Sequence, residues 1–170
     1  MEPTQQTSKQ FFRTINTLFF ALFAGQLIFA GIVIFLQSGV DLSFRFPGSE
    51  DMLTIVGIVI AIIELFVSRL MYRIQINKIK KDSVLSYKLA IYQTAVIIKL
   101  ALIEGASLFL IVSFLLTANP IALIFLAIMF IQFYLFKPSR EEAIRDLQLD
   151  YNETAQVNNP DAIIGEIKNL

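Results

Sequence analysis

A chain of 170 residues is sized for a single domain, but only 16% of its residues are charged and its mean hydropathy is +0.67. A domain dressed for water carries about 25% charged residues, so lipid is the expected solvent for much of this one. A formal net charge of zero offers nothing to nucleic acid, and the absence of Cys and His removes disulfides, thiol nucleophiles, the usual transition-metal ligands and the usual neutral-pH base.

A hydrophobic run needs about 20 residues to cross a bilayer. After a polar N-terminal tail with Lys9 and Arg13, the first such run is LFFALFAGQLIFAGIVIFL, residues 18–36, with no charge between Thr14 and Val40. It is too long for a signal-peptide core and no A-x-A site follows, so it is expected to be a retained anchor. The connection SGVDLSFRFPGSED (38–51) holds Asp41, Glu50, Asp51 and one basic residue, Arg45. A second run, Met52 to Ser68, is broken only by Glu64 and closed by Arg69.

Between the second and third runs lie Arg69, Arg73, Lys78, Lys80, Lys81 and Lys88. Apolar positions continue there through Ile74, Ile76, Ile79, Val84, Leu85 and Leu89. The pattern fits helices that outrun the bilayer, with Asp82 or Ser83 as a cap, and equally an ordinary basic loop. The third run, Ala90 to Leu116, carries Lys99 and Glu104. A TANP turn then leads to a fourth, Pro120 to Phe136, where Asn119 suits an N-cap and Pro120 the first helical position. Beyond Pro138 the chain turns polar. Ser139 and Glu142 have capping-box spacing, Ile144, Leu147 and Tyr151 share one helical face, and NNPD (158–161) is turn chemistry. The last ten residues are expected to be loosely ordered.

Charge alternates between the connections. Twelve Lys and Arg fall in the N-terminal tail, the central connection and the C-terminal tail, against Arg45 alone in the first connection. Basic residues stay on the cytoplasmic side, so both termini are expected there. The expected architecture is all-α: an integral membrane four-helix bundle, multi-pass in a cytoplasmic or inner membrane. Residues 1–13 form a cytoplasmic tail, 14–137 the bundle, and 138–170 a cytoplasmic tail with a short helix. On that side the sequon Asn152-Glu153-Thr154 has no meaning.

Helices in lipid associate through small residues and shared polar groups. Gly57, Ala61, Glu64 and Ser68 are spaced 4, 3 and 4 along the second run, Ala101, Glu104, Gly105 and Leu108 align on the third, and Thr17, Ala21, Ala24, Gly25 and Ile28 make a stripe on the first. Gly57, Ala61, Ala101, Gly105, Ala21 and Gly25 are therefore the expected packing positions. Glu104 should point into the bundle about 9 Å from the inner boundary, and Glu64 about 7.5 Å from it. With Gln26, Gln132, Ser107, Ser68 and Lys99 they would make a buried polar layer in the inner half of the membrane. Lys99 either snorkels to the boundary or meets Glu64 across a helix interface. Glu104, too short to snorkel, escapes its desolvation by protonation and donates to Gln26, Ser107 or a backbone carbonyl.

The stretch KLALIEGASLFLIVSFLLTANP, residues 99–120, resembles the second helix of the proteolipid subunit of rotary ATP synthases, in which a mid-membrane Glu precedes an F-A-N-P-like element. The resemblance covers about an eighth of the chain and implies that Glu104 carries an ion. Span one is phenylalanine-rich where that family is glycine-rich, and the basic connection and polar tail have no counterpart in a ring subunit.

Two functions follow as expectations. The first is a structural or accessory subunit of a membrane complex, its partners being the lipid bilayer and other membrane subunits or further copies of itself. The second is proton or cation translocation through Glu104. A small multidrug-type exporter would place its Glu in span one, where this chain has none. No catalytic constellation, cofactor or metal site is expected.

Overall fold

A computed structural model describes residues 4–39, 46–80 and 82–167. Asp41, Arg45, Lys81 and Lys168, weighed above, lie outside these residues, as does the side chain of Glu50. The elements are strand β1 (Thr4–Thr7), helix α1 (Ser8–Leu36), a single 3-10 turn (Ser49–Asp51), α2 (Met52–Ile76), α3 (Leu85–Thr117), α4 (Ile121–Leu135), α5 (Arg140–Asp146), α6 (Tyr151–Asn158) and strand β2 (Ile163–Ile167). The protein is thus overwhelmingly helical. Three helices, α1 to α3, are long and apolar enough to cross a membrane, or four if α4 is counted together with α5.

Two helix lengths differ from simple hydropathy counting. At 33 residues, α3 is about 50 Å long, against about 30 Å of hydrocarbon. Of the apolar positions of the central connection, Ile74, Ile76, Leu85 and Leu89 therefore belong to long helices, whereas Ile79 and Val84 lie in the segment between them. α4 is shorter than its apolar run, at 15 residues. Pro120 stands at its start, and Pro138 disfavours helical geometry at Lys137.

The chain forms two compact units: Met1–Phe19, Met71–Ile98 and Lys137–Leu170 make one, Phe20–Leu70 and Lys99–Phe136 the other. In the first unit both ends and the middle of the chain cohere with each other. Among the described residues nine Lys and Arg belong to the first unit and two, Arg69 and Lys99, to the second.

The first unit, here the basic unit, ties its ends with an antiparallel pair in which Thr4 faces Ile167, Gln5 faces Glu166 and Gln6 faces Gly165. The expected loose C-terminus is thus corrected as far as Ile167. Backbone bonds extend the junction: Ser8 N–H donates to Ala162 and Lys9 N–H to Pro160, both at 3.0 Å, and the buried Ser8 hydroxyl donates to the Val157 carbonyl. Ser139 caps α5 by accepting from the Glu142 N–H at 3.0 Å. Hydrogen bonds from its own N–H and from the Ser139 hydroxyl hold the exposed Glu141 carboxyl below the usual range. Asp150 and Glu153 form a complete capping box on α6. Tyr151, expected to share a buried face with Ile144 and Leu147, instead opens α6 and is 89% exposed, whereas Leu147 is buried. The break at Gln148, in a left-handed conformation (φ 49°), separates α5 from α6 and cancels the helical phase that related these residues.

Tyrosines anchor α5 in this unit. Tyr72 on α2 donates to Asp146 Oδ2 at 2.7 Å, and Tyr92 on α3, fully buried, donates toward Glu142 Oε2 at 3.2 Å and the Ser139 carbonyl at 3.3 Å.

In the second, apolar unit, side-chain bonds fix the helix directions. Gln37, just past α1, donates to the Leu115 carbonyl near the end of α3 at 2.6 Å. Thr54, at the start of α2, bonds Ser113 at 3.1 Å and Thr117 at 2.9 Å. The same end holds the α3–α4 turn, where Asn119 Oδ1 accepts from the Ile121 N–H at 3.1 Å, while Pro120 takes the N-cap position expected for Asn119, so that α4 starts one residue later than expected. α1 and α3 therefore run toward this end, and α2 and α4 run away from it. Ala118 makes the turn with a left-handed backbone, φ 49°.

Candidate functional site

The polar residues of the apolar unit sort themselves by helix face. On α2, Gly57, Ala61, Glu64 and Ser68 are all buried. Gly57 is there because the helices meet closely: a Cβ at this position would lie 3.1 Å from Leu110 Cδ2 and 3.2 Å from Phe109 Cδ1. The 4-3-4 spacing therefore marks the inward face of α2, and it carries Glu64 inward, with 6% of its surface exposed.

The other two small-residue faces turn outward, which corrects the reading made for them. Ala21 and Gly25 on α1, like Ala101 and Gly105 on α3, are exposed, and a Cβ on Gly25 or Gly105 would meet nothing within 4 Å. α3 instead buries Val96, Leu100, Ile103, Leu110, Ile111 and Phe114. Bulky apolar side chains gain more from burial than a glycine face does, and they set the rotation of the helix. Glu104 follows that rotation and is only half-buried. The expected seam sheltering both acids thus contains Glu64 and leaves Glu104 on its margin.

Around Glu64 the buried polar groups form a chain. Ser68 Oγ donates to the Glu64 carbonyl one turn back at 2.9 Å, and Gln132 Nε2 on α4 donates to Ser68 Oγ at 3.3 Å. Beside Gln132, Phe133 stacks on Phe23 of α1 with ring centroids 5.6 Å apart and planes 13° from parallel. Ser68, Gln132 and Phe23 thus share one level. Gln26 is three residues beyond Phe23 and Glu64 four residues from Ser68, both toward the Thr54 end, or about 4.5 Å and about 6 Å at the helical rise. Gln26 is 1% exposed. Among the described residues both polar atoms of its side chain lack a hydrogen-bond partner, as do Oε1 of Glu64 and Oε1 of Gln132.

Lys99 lies toward the opposite end of the unit. It is 2% exposed, and its ammonium sits 4.6 Å from the centroid of the Phe136 ring. Arg69 places its guanidinium carbon 5.5 Å from the same ring. Helical side chains lean toward the N-terminus of their helix, the end at which Lys99 meets Phe136. Ser107 is buried but bonds back to the Ile103 carbonyl at 2.9 Å and so satisfies itself within α3.

Several polar contacts were not anticipated from the sequence: Thr54 with Ser113 and Thr117, Tyr72, Tyr92, and the buried Lys88, whose ammonium lies 2.7 Å from Glu153 Oε1. Only hydroxyls inside apolar runs and the ring–hydroxyl character of tyrosine hint at the first ones. Nothing in the sequence pairs Lys88 with a residue 65 positions away.

Comparison of the chain with known protein families, with curated proteins and with solved structures returned no match.

Proposed function

We propose that the protein is a small multi-pass membrane protein acting as a structural or accessory subunit of a membrane complex. In this reading the apolar unit is a four-helix bundle in the bilayer, and the basic unit and both termini are cytoplasmic, on the positive-inside rule. The observation that carries it is the half-buried Glu104 between the exposed Ala101 and Gly105 on α3. A carboxyl group on a lipid-facing surface costs about 2.5–3.5 kcal/mol near the centre of a bilayer. Small residues beside it let another helix approach closely enough to cover it.

The chain has no cysteine, so a single reporter thiol tests this directly. A photo-crosslinker on Gly105→Cys, activated in native membranes, should give a discrete adduct of higher mass. The same label on Ile124→Cys, an exposed position of α4, should give only lipid adducts. Lipid adducts alone at both positions would remove the subunit reading.

A further inference from the structure

Glu64 is buried, unlike the exposed Ala101 and Gly105 of the face just assigned to a partner, and the buried polar groups near its level have a chemistry of their own. The buried groups near its depth that face no protein partner among the described residues are mostly oxygens, Oε1 of Glu64, Oε1 of Gln26 and Oε1 of Gln132, with Nε2 of Gln26 the one nitrogen, and the Ser68 hydroxyl is bonded to Gln132 at 3.3 Å. Three helices supply them, α1, α2 and α4, within about two helical turns of one another in depth. Each of the three side chains is more than nine-tenths buried. Burying unpaired amides and a carboxylate oxygen is costly in an apolar unit, and groups of this kind in membrane segments mark ion or proton sites.

We propose that Glu64, Gln26, Gln132 and Ser68 form a binding site for a small monovalent cation, either a proton held on Glu64 or an alkali-metal ion held by the same oxygens. This goes beyond the subunit reading and does not depend on it. Carbonyl, carboxylate and hydroxyl oxygens suit hard cations, and the chain has no thiol or imidazole to favour a soft one. The single formal charge sets the valence. One carboxylate and two neutral amides become electrically neutral with one monovalent charge, whereas a divalent ion would leave a net positive charge in an apolar surround. Among the described residues no group of three acidic side chains gathers that would favour a divalent ion. A protonated Glu64 serves the same groups, since it can donate to an amide oxygen while its other oxygen accepts from an amide N–H.

The other charged or titratable groups in this unit among the described residues are Lys99 on α3 and Arg69 on α2, both against Phe136, Glu104 on α3, Asp51 ahead of α2 and Tyr134 on α4; α1 contributes none. The two cations lie beyond Ser68 and Gln132, on the side away from Gln26. They place a positive potential at one approach to the site and leave the Gln26 side without one.

The test uses the full chain in detergent micelles and a hydrophobic carbodiimide, which reacts with protonated carboxyls in apolar surroundings; peptide mass mapping separates Glu64 from Glu104. One arm varies pH without alkali-metal ions, the other adds sodium or potassium at fixed pH against choline. Labelling of Glu64 that falls as pH rises, untouched by sodium and potassium, identifies a proton site. Labelling suppressed at least about fivefold by either metal ion identifies an alkali-metal site. In both cases Gln26→Leu and Gln132→Leu, checked for an unchanged elution profile, should shift the midpoint or the protecting concentration, because they remove site oxygens while keeping Glu64. Three results overturn the proposal: no labelling of Glu64 under any condition, labelling indifferent to pH and ions, or midpoints that both Leu variants leave unmoved.

Discussion

The ammonium of Lys88 lies 2.7 Å from Oε1 and 2.9 Å from Oε2 of Glu153, and Lys88 is only 3% exposed. This contact joins the first turn of α3 to α6 inside the basic unit. Removing one member of a buried pair leaves the other charge uncompensated, at a cost of about 3–5 kcal/mol. Glu153 keeps some access to water, with 15% of its side chain exposed, so the lower end of that range is expected for Lys88→Ala. Thermal unfolding in detergent should show Lys88→Ala and Glu153→Ala each destabilised, and the double variant little worse than either. Strictly additive losses would mean that the two side chains do not act as a pair.

Gly57 and Gly105 make opposite predictions for one substitution. An Ala at 57 brings a methyl within 3.1 Å of Leu110 and 3.2 Å of Phe109, whereas at 105 it meets nothing within 4 Å. Overpacking should cost Gly57→Ala about 1–3 kcal/mol. Gly105→Ala should be neutral, or stabilising by up to about 1 kcal/mol through helix propensity. Denaturant midpoints of the two variants check the order; a stabilised Gly57→Ala would contradict the close approach of α2 and α3.

Ala118 holds a left-handed backbone at φ 49° between α3 and α4, a conformation that costs an L-residue about 1 kcal/mol and glycine almost nothing. Ala118→Gly should therefore raise stability by a few tenths to about 1 kcal/mol, despite the added freedom of the unfolded chain. A lower unfolding temperature for this variant would count against the turn geometry.

Ser139 satisfies the Glu142 N–H and contributes to the lowered titration of Glu141. Ser139→Ala should cost about 1 kcal/mol of stability and move the Glu141 midpoint upward, as read by NMR titration of the side-chain carboxyl. The sign follows from linkage: a carboxyl with a depressed folded-state pKa stabilises the fold above its unfolded value and loses that effect as pH falls. The variant should accordingly show a flatter stability profile on the acid side. An unmoved Glu141 midpoint would assign its shift wholly to the helix terminus.

How much of this was legible in the sequence depends on which force acts locally. The apolar runs placed α1 to α4, since hydropathy and length act residue by residue, and the proline at 138 marks the end of α4. The Ser139 cap was readable for the same reason, a side chain answering a backbone N–H three residues away. The inward face of α2 was readable because its Gly, Ala, Glu and Ser are separated from bulky residues on the other side. α3 offers no such contrast: it is apolar all round, so Ala101 and Gly105 permitted a contact there but did not require one.

The amino-acid sequence by itself determined that the chain is helical, apolar enough for a bilayer and strongly uneven in its basic charge. Only the tertiary structure decided which acid is sheltered: packing of Leu100, Ile103, Leu110 and Phe114 rotates Glu104 to the margin, whereas α2 turns Glu64 inward on the face that carries Ser68, which Gln132 of α4 meets. It also joined Thr4–Thr7 to Ile163–Ile167 and Lys88 to Glu153. Such partners lie too far apart in the chain for any local pattern to pair them, and the entropy of closing so long a loop is offset only when the whole unit folds together.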